Sequence, residues 1–503
     1  GQPAAGADLE LRQGDRLVTE AQADAAGAAV AGLAPGRYSL VVTQVGRARH
    51  EREVDVRGDA TVAVTAGPLS QIEFDVTDER GRSSPCKVQF IGVDGTPEPN
   101  FGPEQRARCR NLVHSHTGQF RVAVPPGSYY LVLSRGPEYD AVYRYVNVGE
   151  GRTVRVAARL VRSVDTRGWV SGDFHNHSTE SGDNTTETES RILCLIAEGV
   201  EFAPSTEHNR IQSYRPRLRA LGVEHLLATS DGIELTGSPL PLNHHNAFPL
   251  RLIPGAQNGG APDPDPDPRA QIRRLFQHDN NAEKLVQQNH PDIGWLFFDR
   301  DGDGRHDMGF GTFEFTHVIE VWQTTILSMR PTSGTGAQER NNRIFNWLQL
   351  LNQGFRLPGV ANTDAHYCFH QSGVIRNYIR SSSDDPARIS EMEMVRNAKA
   401  GRLVMTNGPF LEVTLNGRGP GEELTLRGGS RGRLRVRVQC ANWLDVDRIQ
   451  VLVNGRPDPN LNFTRQSHPH YFQDGVVKFD REIPIRLERD AHLIVVAVGE
   501  HAT

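Results

Sequence analysis

The first third of the chain alternates hydrophobic and polar residues in short runs that Pro-Gly and Gly turns separate. The segment GLAPGRYSLVVTQVGRARHEREVDVRGDATVAVTA (residues 32–66) is echoed by AVPPGSYYLVLSRGPEYDAVYRYVNVGEGRTVRVAAR (residues 123–159). Each copy has a Pro-Gly turn, a strand that an aromatic residue opens, a polar hairpin and two further alternating strands. This period-2 pattern predicts two small antiparallel β-sandwich modules, at residues 1–67 and 68–163.

The pattern changes in the middle of the chain and changes back near its end. Between residues 164 and 407, short apolar runs such as FAPST, VIEVW and GVAN alternate with amphipathic stretches such as SRILCLIAEGV and NNRIFNWLQLLNQG. This alternation predicts parallel strands joined by crossover helices. From residue 408 to 503, the runs FLEVTLNG, RLRVRVQCA, RIQVLVNG and HLIVVAVG predict a C-terminal β-sandwich.

Length, composition and charge narrow the class of protein. The chain has 503 residues, of which 37% are hydrophobic and 23% are charged, as is typical of a soluble multidomain protein. The formal net charge of −5 gives no sign of nucleic-acid binding. No apolar run approaches the ~20 residues that span a bilayer, so no transmembrane segment is expected. The five cysteines form no CxxC pair, so a thiolate zinc site is not indicated.

The stretch VSGDFHNHSTESGD, residues 170–183, introduces the candidate chemistry. His175 and His177 are two residues apart, and residues i and i+2 of a strand point to the same face. Two imidazoles in that arrangement present their nitrogens to one point, as a single metal ion requires. One H-x-H pair alone is weak support for a metal site.

Similar signals follow the later apolar runs. They are Glu207 and His208 in APSTEHN, Glu234 before His244 and His245, His290 after QQN, and Asp364 and His366 in GVANTDAH. If these runs are parallel strands, their C-terminal ends meet at one edge, where active sites form. The recurrence of such residues therefore predicts one shared metal site.

The ordered motifs GDFHNH, STEHN, GIE, NHHN, NHP and NTDAH resemble the polymerase and histidinol phosphatase (PHP) superfamily of metallohydrolases. The segments HNAFPL, VIEVWQ and AGRLVMTNGPFLEVTLNGRGPGEEL resemble its carbaryl-hydrolase-like branch. The resemblance covers roughly residues 165–425. It implies a central distorted (β/α)7 barrel of TIM-like type at residues 164–407, with β-sandwich domains on both sides. The PG-x-Y-x-L-x-V segment of the second module resembles prealbumin-like and carboxypeptidase-regulatory-like modules of exported bacterial proteins.

The resemblance implies two to three divalent metals with a defined ligand set. His175, His177, Glu234 and Asp364 would hold the first metal, Glu234 would bridge to a second that His244 and His290 complete, and Asp183, His208 and His366 would hold the third. His245 is the alternative to His244, and Asp183 lies in SGD where the family usually has SDG. Imidazole and carboxylate ligands suit zinc, manganese or iron.

Four further residues are predicted to act at the site. Glu207 and Glu320 follow strand-like runs and would orient a ligand or move a proton. Arg210, like Arg376, would grip an anionic substrate, although a surface ion pair is the alternative interpretation for each arginine.

A second metal signal lies in DRDGDGRHDMGF, residues 299–310. Asp299, Asp301, Asp303 and Asp307 have the spacing of an EF-hand-like calcium loop, but Phe310 stands where the twelfth acidic ligand belongs. A calcium loop and an acidic turn that binds no ion both fit this segment. Bound calcium would support export to the periplasm or the extracellular space, although this chain shows no signal peptide.

The leading functional hypothesis is a hydrolase in which a metal-bridging hydroxide cleaves a small phosphoester or a carboxylic or carbamate ester. The alternative is a surface- or glycan-binding β-module protein whose metal-binding barrel is catalytically inactive. The nearly complete ligand set favours the enzyme. The sequence gives no indication of the oligomeric state or of the natural substrate.

Overall fold

The computed structural model describes residues 3–102, 106–238, 240, 242–293, 316–322, 343–370, 372–426 and 431–499. The chain divides into two compact units. Unit 1 contains Gly1–Leu133 and Val142–Leu160, and unit 2 contains Ser134–Ala141 and Val161–Thr503. The four predicted domains are a finer division than these two units, and their boundaries stay predictions.

Unit 1 is built from β-strands throughout its described part. These are β1 (Asp8–Gln13), β2 (Arg16–Gln22), β3 (Gly36–Thr43), β4 (His50–Val56), β5 (Gln71–Thr77), β6 (Cys86–Val93), β7 (Arg108–Cys109), β8 (Leu112–Ser115), β9 (Gln119–Ala123), β10 (Gly127–Ser134), β11 (Val142–Val148) and β12 (Thr153–Arg159). The strand orders are β2-β1-β3-β4, β11-β10-β6-β8-β7 and β12-β5-β9.

Period-2 alternation explains the burial within these sheets. In β5, Ile72, Phe74 and Val76 are buried, whereas Asp75 between them is exposed. The buried ring of Phe74 meets that of Phe90 from β6 edge to face, with 6.0 Å between centroids. The sheets that contain β5 and β6 therefore pack face to face as a β-sandwich.

Unit 2 combines strands with five α-helices in its described part. The strands are β13 (Trp169–Gly172), β14 (Ile233–Thr236), β15 (His244–Phe248), β16 (Leu285–Gln288), β17 (Val318–Trp322), β18 (Gly359–Ala361), β19 (Arg376–Arg380), β20 (Leu403–Thr406), β21 (Phe410–Leu415), β22 (Arg431–Gln439), β23 (Arg448–Val453), β24 (Arg456–Thr464), β25 (Val477–Arg486) and β26 (Leu493–Val498). The helices are α1 (Thr188–Ala197), α2 (Arg215–Leu221), α3 (Pro268–Asn281), α4 (Arg343–Asn352) and α5 (Glu391–Lys399).

The predicted (β/α)7, TIM-like barrel is wrong. Among the described residues of 164–407, the strands form two separate sheets, β13-β19-β20 and β14-β15-β16-β17-β18. The first sheet is antiparallel throughout, and in the second only the β16–β17 and β17–β18 pairs are parallel. A (β/α)7 barrel instead needs parallel strands that each lead into a helix. The described chain is dominated by strands and has too few helices for that pattern.

Two described segments show how the fold departs from the predicted parallel strands. The segment 233–248 folds as an antiparallel hairpin of β14 and β15, with no helix among its described residues. The predicted strand FAPST forms only isolated bridges at Phe202. The two sheets share a core in which Val170 and Ile379 of the first join Phe248, Leu285 and Val360 of the second.

The C-terminal part of unit 2 has two three-stranded sheets, β21-β22-β25 and β24-β23-β26. Alternate residues of β22, namely Leu434, Val436 and Val438, are buried in one core with Ile449 and Val451 of β23. In the described part of the chain, no helix has the length and apolar character needed to cross a bilayer.

Candidate metal centre

The nine residues that the sequence predicts as transition-metal ligands lie together in unit 2. They come from the loop after β13, from the segment between α1 and α2, from β14 and β15, and from the loops that follow β16 and β18. Each histidine of the set has a ring nitrogen within 3.9 Å of a carboxylate oxygen of the set, and each carboxylate lies equally near a histidine. The nine residues are His175, His177, Asp183, His208, Glu234, His244, His290, Asp364 and His366.

The register of the β14–β15 hairpin decides between the two adjacent histidines of the NHHN motif. Thr236 pairs with His244 and Glu234 with Asn246, so these four side chains share one face. His244 Nδ1 lies 3.1 Å from Glu234 Oε1. His245 points to the opposite face, where Gln288 and Gln271 contact its ring nitrogens at 3.0 Å. The structure therefore places His244, and not His245, in the cluster.

Glu234 is the central carboxylate of the cluster, and its side chain is fully buried. Its oxygens lie near ring nitrogens of five histidines, at 3.3 Å for His175, 3.4 Å for His177, 2.7 Å for His208, 3.1 Å for His244 and 3.6 Å for His290. A single carboxylate in that position suits a bridging ligand between two metals, as the family resemblance implies.

Asp364 and Asp183 complete the arrangement from opposite ends. Asp364 Oδ1 lies 3.2 Å from His175 Nε2 and 3.0 Å from His177 Nε2. Asp183 Oδ2 lies 3.1 Å from Nε2 of both His208 and His366. The Asp183 side chain is 48% exposed, whereas His175 and His177 are fully buried. The cluster therefore opens to solvent on the Asp183 side.

Within this cluster, three sets of donor atoms are compact enough to hold one ion each, since the atoms within each set lie within 4.8 Å of one another. They are His175 with His177 and Asp364, His175 with Glu234 and His290, and His177 with His208 and His366. This partition differs in detail from the one that the resemblance implies, because His175 and His177 each belong to two sets, whereas Asp183 and His244 belong to none. The three sets together contain seven of the nine residues.

His175 and His177 each direct one ring nitrogen into the cluster and use the other for a polar partner outside it. Nε2 of His175 and Nε2 of His177 are buried and form no hydrogen bond of good geometry within the described residues. Their other nitrogens are engaged, because Nδ1 of His175 lies 3.3 Å from Glu320 and Nδ1 of His177 lies 2.9 Å from Ser181 Oγ. Metal-binding histidines typically use one ring nitrogen for the metal and the other for a carboxylate or hydroxyl partner. The donor set therefore fits divalent metals.

The electrostatics of the centre are dominated by burial and by opposite charges. Burial disfavours the charged ring of His175, but Asp364, Glu234 and Glu320 outweigh it and hold its pKa well above the usual range. Burial opposes ionisation of Glu234 as well, yet His175 and its neighbours keep the pKa of that carboxyl well below its usual value. Burial lowers the pKa of His177 to about 4.

The predicted catalytic residue Glu207 reaches the cluster through a serine. Its buried carboxylate accepts hydrogen bonds from Ser181 Oγ at 2.6 Å and from Ser178 Oγ and N at 2.6 and 2.8 Å. Ser181 Oγ in turn contacts His177 Nδ1 at 2.9 Å. Burial raises the pKa of Glu207 against these hydrogen bonds. Its geometry is that of a group that orients His177.

Glu320, the other predicted carboxylate, is closer to the ligands. It faces His175 Nδ1 at 3.3 Å and accepts the main-chain N–H of His290 at 2.7 Å. Glu320 therefore contacts the ring of one candidate ligand and the backbone of another.

The two arginines lie in different environments. Arg210 is partly exposed and pairs with Glu180, which lies between His177 and Asp183 in the sequence. Arg376 is buried and donates to the carbonyl oxygens of Gly373, Glu198 and Gly199. Its guanidinium therefore serves main-chain groups, and we assign it no role in substrate binding.

Backbone strain marks two of the candidate ligands. Asp364 has a φ of 48° and His290 has a φ of 23°, and residues other than glycine rarely adopt such positive values. Such conformations cost on the order of 1–3 kcal/mol and persist where surrounding contacts enforce them, commonly at functional sites.

Sequence reasoning missed several residues that hold the ligands in place. Asp173 is fully buried and accepts hydrogen bonds from the main-chain N–H of Thr363 at 3.1 Å and of Gly373 at 3.0 Å, which joins the loop after β13 to the segment after β18. Thr236 Oγ1 lies 2.6 Å from His208 Nδ1. The sequence offered one indication for each residue. Asp173 lies two residues before His175 in GDFHNH, and Thr236 lies two residues after Glu234.

The calcium-loop prediction concerns the acidic segment at residues 299–310. Asp299, Asp301, Asp303 and Asp307 of the acidic segment lie outside the described residues, so the calcium interpretation stays a prediction.

Comparisons with known proteins add little to this geometry. No protein-family model matches the sequence, and no curated protein matches it. The minor pilin GBS52 of Streptococcus agalactiae is 15% identical over 33% of this chain and 86% of its own, with a TM-score of 0.21. The Bacillus anthracis TIE protein is 14% identical over 37% of this chain and 35% of its own, with a TM-score of 0.16. A streptococcal ancillary pilin is 13% identical over 29% and 50%, also with a TM-score of 0.16. Likenesses as weak as these carry no inference about function.

Proposed function

We propose that this protein is a metal-dependent hydrolase, related to the PHP superfamily, that cleaves a small phosphoester or a carboxylic or carbamate ester. One observation carries the proposal: six histidines and three carboxylates converge in unit 2, and the buried Nε2 atoms of His175 and His177 face two of those carboxylates without a hydrogen bond of good geometry within the described residues. Purely structural histidines rarely adopt such an arrangement, because a buried nitrogen that forms no good hydrogen bond lowers stability.

The nine proposed ligands fall into a buried part and an open part. His175, His177, Glu234, His244, His290 and Asp364 form the buried part of the ligand set, and Asp183, His208 and His366 form the open part. Divalent zinc, manganese or iron held there would lower the pKa of a bound water and offset negative charge that develops on the substrate oxygen. Donors of this kind suit those metals better than magnesium or calcium.

The chain itself supplies orientation and access. Ser181 and Glu207 fix the ring of His177, while Glu320 faces the ring of His175. The exposed Asp183 marks the side from which a small substrate would approach. Arg210 lies two residues after His208 and would meet an anionic substrate only after releasing Glu180.

The proposal is tested by ester hydrolysis before and after metal removal. The protein is stripped with a chelator, reloaded with zinc or manganese, and assayed on an aryl phosphate and an aryl acetate. We expect the reloaded protein to hydrolyse at least one of them. We expect Glu234→Gln to lose about 100-fold or more in rate, because even partners that only orient ligands change activity roughly 10–100-fold.

Glu412→Gln is the matched control. Glu412 pairs with Arg437 at 2.9 Å on the C-terminal sheets, so its amide variant is expected to keep the wild-type rate. Hydrolysis that survives chelation, or a Glu234→Gln variant as active as the control, would contradict the proposal. A metal-loaded protein that cleaves neither ester would contradict it as well.

A further inference from the structure

A layer of buried amide side chains lies beneath the candidate metal centre. Its members are all fully buried, and they come from β15, β16, β19 and the segments that follow β16 and β18: Asn246, Gln287, Asn289, Asn362 and Asn377. The sequence interpretation did not single out any of them, and the proposed reaction does not use them.

Three of these amides connect two carboxylates of the site. Asn289 Nδ2 donates to Glu234 Oε1 at 2.7 Å, and Gln287 Nε2 donates to Asn289 Oδ1 at 2.9 Å. Asn362 Nδ2 donates to Gln287 Oε1 at 3.3 Å and to Glu320 Oε1 at 3.0 Å. A continuous hydrogen-bonded path thus runs from the central carboxylate to the carboxylate that faces His175.

The polarity of this path is fixed at both ends. Carboxylate oxygens accept hydrogen bonds, so Asn289 must turn its NH2 group to Glu234, and Asn362 must turn its NH2 group to Glu320. The oxygen of Asn289 is then left to accept from Gln287 and from the main-chain N–H of Asn246 at 3.2 Å. The oxygen of Asn362 accepts from the main-chain N–H of Phe174 at 2.9 Å. Each amide therefore has one orientation that satisfies its neighbours.

Stability alone does not explain this layer. Burying amides yields little net free energy even when they are fully hydrogen-bonded, and apolar side chains of similar size would fill the same space. The neighbouring core, with Phe174, Phe202 and Phe248, is apolar in this way. What the amides add is a defined donor for one oxygen of each carboxylate.

We propose that Asn289, Gln287 and Asn362 are positioning residues of the metal centre, which act as one unit to hold Glu234 and Glu320 in their ligand-supporting orientation. This inference rests on the proposed function, because it assumes that the cluster binds metal. Asn289 acts on Glu234 directly, and Asn362 acts through Glu320, which contacts His175 Nδ1 and the His290 backbone. Loss of either end amide frees a carboxylate to rotate and weakens metal binding without removing any ligand.

The test measures zinc affinity in the full-length chain by competition with a chromophoric chelator. Asn289→Leu and Asn362→Leu are compared with wild type, singly and together. We expect each to weaken zinc binding about 10–100-fold at unchanged stoichiometry, which is the usual effect of removing a partner of a metal ligand. The double variant is expected to lose less than the product of the two single effects, because both changes interrupt one path.

The matched control is Gln439→Leu. Gln439 is also a buried amide, and it exchanges hydrogen bonds with the main chain of Asp165 at 3.0 and 3.1 Å, so its loss tests the general effect of removing a buried amide. We expect it to bind zinc within about twofold of wild type. Circular dichroism and the Tm of each variant establish that it is folded. The near-isosteric Asn289→Asp replaces the Leu variant if that one does not fold, and the same weakening is expected.

The outcomes separate this inference from the function on which it rests. Zinc binding by wild type with an equal affinity in folded Asn289→Leu or Asn289→Asp would overturn the positioning role alone. Equal weakening in the Gln439 control would overturn it too, because the effect would then be general. A wild-type protein that binds no zinc would overturn the proposed metal site itself.

Discussion

Glu201 is a buried carboxyl group of unit 2 that the candidate site does not use. It accepts the main-chain N–H of Ser171 at 2.8 Å and lies 3.4 Å from the guanidinium of Arg162. Burial, followed by the nearby Glu138 carboxylate, raises the pKa of Glu201 to about 8 in spite of Arg162. The folded protein therefore keeps a proton on this group at pH values where the unfolded chain has lost it.

This difference in bound protons makes the free energy of unfolding depend on pH. Between the usual glutamate pKa, which is about 4.3, and pH 8, the folded state binds one more proton than the unfolded state, so the free energy of unfolding falls as pH rises. The slope from this one group is about 1.4 kcal/mol per pH unit in the middle of that range. We expect Glu201→Gln to remove that slope, as measured by denaturant unfolding at pH 5, 6, 7 and 8. Parallel pH profiles for wild type and variant would contradict the assignment.

At the residue scale, the ligand set could be predicted from the sequence because metal chemistry restricts residue types. His, Asp and Glu in ordered short motifs identified nine residues that the structure brings together, whatever the pairing of the strands. The choice between His244 and His245 could not be made, because it depends on the register of β14 against β15. The partners Ser181 and Asn289 were missed because serine and asparagine occur at many positions for local reasons.

Helix α3 ends in a way that depends on a single buried lysine. The backbone leaves helical geometry at His278, Asp279 and Asn280, so the preceding carbonyl groups lack helical partners. Lys284 is only 2% exposed, and its Nζ donates to the carbonyl oxygens of Leu275 at 3.1 Å and Phe276 at 3.3 Å. Its ammonium group therefore acts as the C-terminal cap of the helix.

We expect Lys284→Met to lower the free energy of unfolding by about 2–3 kcal/mol, because it leaves buried carbonyl groups without donors. Denaturant unfolding measures this loss. The control is Arg269→Met at the other end of α3, where a partly exposed arginine pairs with Asp267 at 3.2 Å. Surface pairs contribute only about 0–1 kcal/mol, so the control should remain near wild type. Equal losses in the two variants would contradict the capping role.

At the element scale, strand character was easier to predict than strand pairing. The runs VIEVW and GVAN are strands β17 and β18, and the runs after residue 408 are strands as well. An apolar run does not reveal whether its neighbour is parallel or antiparallel, because that depends on the connection and on distant residues. The helical stretches were predicted to be crossovers between parallel strands, whereas β15 pairs antiparallel with both β14 and β16.

At the scale of the whole molecule, the candidate site is assembled from distant parts of one unit. Its ligands extend from His175 to Asp364 and His366, and they come from four loops and one hairpin. Asp173 connects two of those loops through Thr363 and Gly373. The residues of the site were therefore predictable without the correct architecture, whereas the arrangement of the sheets required tertiary structure.

The nine converging side chains are proposed to bind metal, and the metal content of the purified protein tests that binding without any assumption about the substrate. Plasma emission spectrometry is applied to the purified protein and to a His175→Ala/His177→Ala variant, each checked for folding by circular dichroism. We expect two to three equivalents of zinc, manganese or iron in the wild type and a clear loss in the variant, because each of the three donor sets contains at least one of these two histidines. Less than one equivalent, unchanged by the substitutions and not restored by added metal, would contradict the proposed metal centre.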